Sequence, residues 1–70
     1  MILEPDYPHI VRSLPYRGLT IELDQSTLDG YPVYSAWVNY PTGSAMAVPK
    51  AWTPEEATRR AKRWIDRRFT

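Results

Sequence analysis

Val33-Tyr34-Ser35-Ala36-Trp37-Val38-Asn39-Tyr40-Pro41-Thr42-Gly43-Ser44-Ala45-Met46-Ala47-Val48 reads as a β-hairpin, and the rest of the fold is built around it. Side chains alternate between the two faces of a strand. In the first arm Tyr34, Ala36, Val38 and Tyr40 make the better inner set, leaving Val33, Ser35, Trp37 and Asn39 for the opposite face. Pro41-Thr42-Gly43 is the sharpest turn signal in the chain. Proline suits the first position of a type I turn, and glycine suits the left-handed residue that follows it, so a three-residue loop is predicted. That loop pairs Tyr40 with Ser44, Val38 with Met46 and Ala36 with Val48. Trp37 then falls opposite Ala47, and Asn39 opposite Ala45, on the outer face.

On the N-terminal side, residues 16–24 alternate cleanly, with Leu19, Ile21 and Leu23 on one face and Thr20, Glu22 and Asp24 on the other. This is the pattern of a half-buried strand. The polar stretch 25–30 reads as a loop. Residues 1–15 carry Pro5, Pro8 and Pro15, which remove backbone donors and disfavour helix, so an extended arm is expected, with a short edge strand at most over Ile10–Arg12.

On the C-terminal side, Thr53-Pro54-Glu55-Glu56 combines an N-cap threonine, a first-turn proline and a capping-box glutamate. It opens a helix over 53–69, with Trp52 placed to staple onto Ala57. At 3.6 residues per turn, Ala57, Ala61, Trp64 and Ile65 share a core-facing stripe. The expectation is one α+β domain over 1–70: an arm (1–15), a three-stranded antiparallel β-meander (16–48) and one C-terminal helix (53–69) packed on one face, in the order β-β-β-α.

Composition bounds the function. With 43% hydrophobic and 24% charged residues, the chain is a folding one, but 70 residues give a marginal core. There is no cysteine, hence no disulfide and no thiolate metal site; three tryptophans and five tyrosines take the place of a staple. No apolar run approaches the roughly 20 residues that span a bilayer, and Met1–Asp6 lacks the basic and apolar regions of a signal peptide. A cytoplasmic protein without a membrane partner is expected.

Catalysis lacks its parts. His9 is the only histidine, so a histidine-based triad or metal cluster is not expected, and glycines at 18, 30 and 43 are too scattered for a phosphate loop. A non-enzyme without cofactor or metal is expected. Two features remain for binding. Residues 1–49 carry a net charge of −3 and residues 50–70 a net charge of +4. Arg59, Arg63 and Arg67 recur at i, i+4 and i+8, flanked by Arg60, Lys62 and Arg68, a set suited to phosphates. The same charges also serve helix stability through the pairs Glu55–Arg59, Glu56–Arg60 and Lys62–Asp66. The second feature is Trp37 with Asn39 on the uncovered sheet face, a place for a protein partner or a second copy, unless Ile2, Leu3, Tyr7, Ile10 and Val11 fold over it.

At Tyr16-Arg17-Gly18, Ala36-Trp37-Val38, Thr53-Pro54-Glu55-Glu56-Ala57 and Ile65 the chain resembles the HicB-like antitoxin domain over residues 16–66, as do many small bacterial and phage proteins. The resemblance implies the β-β-β-α topology and, for antitoxin-type members, capture of a small RNA-cleaving toxin. The DNA-binding segment usual in that family and its proline–glycine–cysteine-type loop have no counterpart here. The function expected is a small binding or regulatory protein acting through a protein–protein interface, by the sheet face or the basic helix. The alternatives are a nucleic-acid binder using the arginine-rich helix and a phage-type inhibitor of a host protein.

Overall fold

Two residue pairs, Arg17-Gly18 and Asp29-Gly30, bend the chain into more strand than its apolar alternation marks. Each pair has positive φ at both positions (52° and 80°, 52° and 83°), the requirement of a type I′ hairpin turn. In the computed structural model, which describes residues 9–69, the elements are β1 (His9–Tyr16), β2 (Leu19–Leu28), β3 (Tyr31–Tyr40), β4 (Gly43–Ala51) and α1 (Pro54–Arg68). The strands form one antiparallel sheet in the order β1-β2-β3-β4. The α+β class and the C-terminal helix are as expected, but the sheet has four strands, not three. Residues 9–15 are strand rather than arm, because the tight Arg17-Gly18 turn folds them back onto β2. Pro15 is tolerated there because β1 is an edge strand, with one side unpaired. The part of the arm over 1–8, with Pro5 and Pro8, lies outside the described residues. The expected loop 25–30 is likewise mostly strand, since β2 runs to Leu28 and pairs with β3 up to Leu28–Tyr31.

The β3–β4 turn is one residue shorter than predicted. Tyr40 pairs with Gly43, Asn39 with Ser44, Val38 with Ala45 and Trp37 with Met46. Because side-chain period in a strand is two, this slip would reverse the faces of β4 throughout. A bulge at Ala47 takes up the extra residue, so Ala36 still faces Val48, as predicted. The correction is therefore local: Met46 turns to the outer face, 45% exposed, and Ala45 takes the place opposite Val38. Register in β3–β4 shifts again between Tyr34 and Ala36, and a bulge at Val11 in β1 pairs Ile10 with Asp24 and Arg12 with Leu23. It moves Ile10 to the outer face while Arg12 stays on the helix side.

The core lies between α1 and one face of the sheet. Ile21, Leu23, Ala36, Val38, Val48 and Ala51 from the strands meet Ala57, Ala61 and Ile65 from the helix, all essentially inaccessible. Thr53 caps the helix: its Oγ1 accepts from the Glu56 N–H at 3.0 Å, and its carbonyl accepts the first helical bond from Ala57 at 3.0 Å. The Glu56 carboxylate accepts from the Trp52 N–H at 3.0 Å, one residue before the cap itself. Trp52 does not staple onto Ala57; it is 55% exposed, with the Lys50 ammonium 5.5 Å from its ring.

Trp64 is also less buried than its stripe position predicts. The two alanines draw the helix close to the sheet, which leaves depth for Ile65 but not for an indole. Trp64 sits half-buried at the rim, tilted against Phe69 and under the Arg68 guanidinium, 4.9 Å from its ring. Ile65→Ala should therefore cost about 3 kcal/mol, within the range for a fully buried aliphatic residue, and Trp64→Ala only about 1–2 kcal/mol. Urea denaturation of the two variants checks this order; a larger loss for Trp64→Ala would place the indole in the core after all.

Candidate functional site

α1 packs on β2, β3 and β4; on β1, Leu14 and Tyr16 pack against the core and Arg12 is exposed. The step between that strand and the helix is a groove of about 530 Å³, lined by Arg12, Glu55, Thr58, Arg59, Lys62, Arg63 and Asp66. Arg12 comes from β1 and the others from α1, so the groove is a product of docking. Thr58 donates its hydroxyl to the Pro54 carbonyl at 2.8 Å and contributes little polarity.

Only one of the three helical ion pairs expected from the sequence forms. Arg60 reaches Glu56 at 3.6 Å and also donates to the Lys50 carbonyl at 2.9 Å. Among the described residues, Glu55–Arg59 and Lys62–Asp66 make no salt bridge. Asp66 is engaged elsewhere: Tyr16 Oη lies 2.9 Å from Oδ1 and 3.1 Å from Oδ2 and donates to the carboxylate, and Arg17 Nη1 donates to Oδ1 at 2.9 Å. Lys62, relieved of Asp66, stands over the Tyr16 ring at 5.3 Å, a cation–π contact. Among the described residues, no carboxylate forms a salt bridge to the cations of the groove.

The Tyr16–Asp66 contact shifts both groups. The hydrogen bond to Asp66 raises the Tyr16 hydroxyl above its ordinary 10.0, with desolvation adding to it. The bond from Tyr16, and then the one from Arg17, hold Asp66 below its ordinary 3.8. A lowered carboxylate stabilises the fold above its unfolded value and loses that contribution as pH falls through the folded one. A raised tyrosine stabilises below its unfolded value and loses that contribution as pH rises through the folded one. The Tm difference between wild type and Tyr16→Phe should therefore be widest near neutrality and shrink below about pH 4 and above about pH 10. A difference constant across that range, read by circular-dichroism melts, would mean that the contact is not made in solution.

The residues singled out in the sequence separate into two places. Arg59 and Arg63 stand in the groove, and Arg67, exposed, lies on α1 outside its lining. Trp37 and Asn39 lie half-buried on the opposite face of the sheet, where Ile10, Glu22 and Ser44 complete a hollow of about 190 Å³. Trp37 Nε1 donates to Asp24 Oδ2 at 3.0 Å, and Asp24 is 8% exposed. Of the residues expected to seal Trp37, Ile10 is beside it, Val11 is exposed at the bulge, and Ile2, Leu3 and Tyr7 lie outside the described residues. Sequence reading missed Arg12 as a groove residue, because the proline-rich stretch hid the strand that carries it. Tyr16 and Asp66 were missed too; nothing in sequence spacing joins residues 50 positions apart.

Among the described residues, no three His, Cys, Asp or Glu side chains gather as metal ligands, and no helix is long and apolar enough to cross a membrane. No family model matches the chain, and neither a curated protein nor a solved structure matches it.

Proposed function

We propose that this chain is a small non-enzymatic binding protein of the cytoplasm that holds an anionic macromolecule in the groove between β1 and α1. The observation that carries the reading is the convergence of Arg12, Arg59, Lys62 and Arg63 on one groove, with no salt bridge to any of them among the described residues. Charges placed only for helix stability would be expected to meet the acids four residues away. Here Asp66 is withdrawn to the β1–β2 turn, Lys62 stands over the Tyr16 ring, and Arg59 is exposed. A ligand with repeated negative charge would complete the set.

A second reading rests on the outer face. A half-buried indole next to a hollow, with Ile10 and Met46 both exposed nearby, is the kind of surface on which a protein partner or a second copy finds an anchor. The regulatory role, whether as an antitoxin-like or a phage-type inhibitor, belongs to this face.

Titrating the isotopically labelled protein with dextran sulfate at ~50 mM salt, where phosphate-type contacts are strong, separates the two readings. Amide shifts should centre on Arg12, Arg59, Lys62 and Arg63 and spare Trp37 and Asn39. Shifts centred on Trp37, or none anywhere, would count against the groove.

A further inference from the structure

We infer that the ligand of the groove is the phosphodiester backbone of a double-stranded nucleic acid, bound without regard to sequence; this rests on the reading of the groove as an anion site. Three observations choose this occupant over an acidic protein segment and over a single strand.

The first is what the groove lacks. Among its described lining residues there is no apolar anchor: arginines, a lysine, a threonine and two acids make up the wall. The centre of a protein–protein interface is poor in charge and built on aromatic or aliphatic anchors. A surface rich in cations is what phosphate contacts require, since these position a ligand without reading it.

The second is the state of the aromatic rings. Binding a single strand depends on rings on which bases stack. Tyr16 has Lys62, a groove residue, over its face and its hydroxyl tied to Asp66. The exposed rings Tyr31, Trp52 and Phe69 are not part of the lining. A duplex keeps its bases stacked inside and offers only its backbone, which matches a groove with no free ring among its described lining residues.

The third is the spacing and type of the cations. Arg59 and Arg63, four residues apart on the helix, are about 6 Å apart along its axis. Lys62 stands beside them, and Arg12 faces them from β1. The charges therefore come from two walls, and guanidinium groups can grip phosphate oxygens in pairs. Of the two acids, Asp66 is already occupied by Tyr16 and Arg17. Glu55, in the first turn of α1, limits the cationic stretch at one end.

The test is fluorescence anisotropy of the full chain with labelled duplex DNA, duplex RNA, a single strand and polyglutamate as probes. The duplexes should bind with a log–log salt slope of about −3 to −4, corresponding to four phosphates neutralised and about a 100-fold loss of affinity between 50 and 200 mM salt. Arg12→Gln, Arg59→Gln and Arg63→Gln should each flatten the slope by about one unit. Arg60→Gln, which removes the same charge from the other flank of the helix, should leave it unchanged; circular-dichroism melts confirm that each variant is folded. Equal losses from Arg60→Gln and Arg59→Gln would mean that net charge, not the groove, does the binding, and would overturn the proposal. Polyglutamate or the single strand binding as tightly as the duplexes, with losses confined to the groove variants, would keep the anion site and overturn the duplex assignment. No binding by any probe would remove both.

Discussion

One α-helix, about 10 Å across, cannot cover four strands spaced about 4.8 Å apart. Everything functional in this molecule follows from where the helix settles under that constraint. Ala57 and Ala61 let it press onto β2, β3 and β4, and Ile65 fills the space that remains. The burial that stabilises so small a domain is thereby concentrated on three strands. On the fourth, β1, only Leu14 and Tyr16 reach the core, and the step beside exposed Arg12 becomes the groove.

β1 is also tied to the helix by a polar contact. Asp66 accepts from Tyr16 at the end of β1 and from Arg17 in the turn that follows. Arg17 occupies a left-handed backbone conformation with φ 52°, which a side chain with a Cβ adopts at some cost. Glycine or asparagine would suit the turn better, but neither could reach Asp66. The tie does two things at once: it fixes the width of the groove at its Asp66 end, and it takes an acid out of competition for Lys62. Local backbone strain and a sparse ion-pair pattern thus have one cause.

How far the sequence disclosed this depends on the range over which each feature is encoded. The helix was legible to within one residue at each end, 53–69 expected against Pro54–Arg68, because Thr53-Pro54 and the alanine spacing are local signals. The strands of the 16–48 region were legible where one face is buried. They were illegible over Gln25–Leu28, which is exposed on both faces and carries no alternation. β1 was hidden by its prolines, although the Arg17-Gly18 turn after it was there to be read. The β3–β4 register failed by one residue because both two- and three-residue loops suit Pro41-Thr42-Gly43, and the bulge that repairs the faces has no local mark. At the site, Arg59 and Arg63 came from helical periodicity. Arg12 and the Tyr16–Asp66 contact exist only once distant segments are docked, so no pattern within one segment could announce them.

The sequential strand order has a kinetic meaning. In a β1-β2-β3-β4 meander every pairing is between neighbours in the chain, so each hairpin closes over a short loop and little entropy is lost at each step. The docking of α1 is the one event that joins remote segments, and its last latch spans some fifty residues. A growing chain can therefore begin to pair its strands before the helix has been made, while the core closes only when α1 docks. The groove cannot exist until the helix arrives, so the basic surface of this molecule is complete only at that last step.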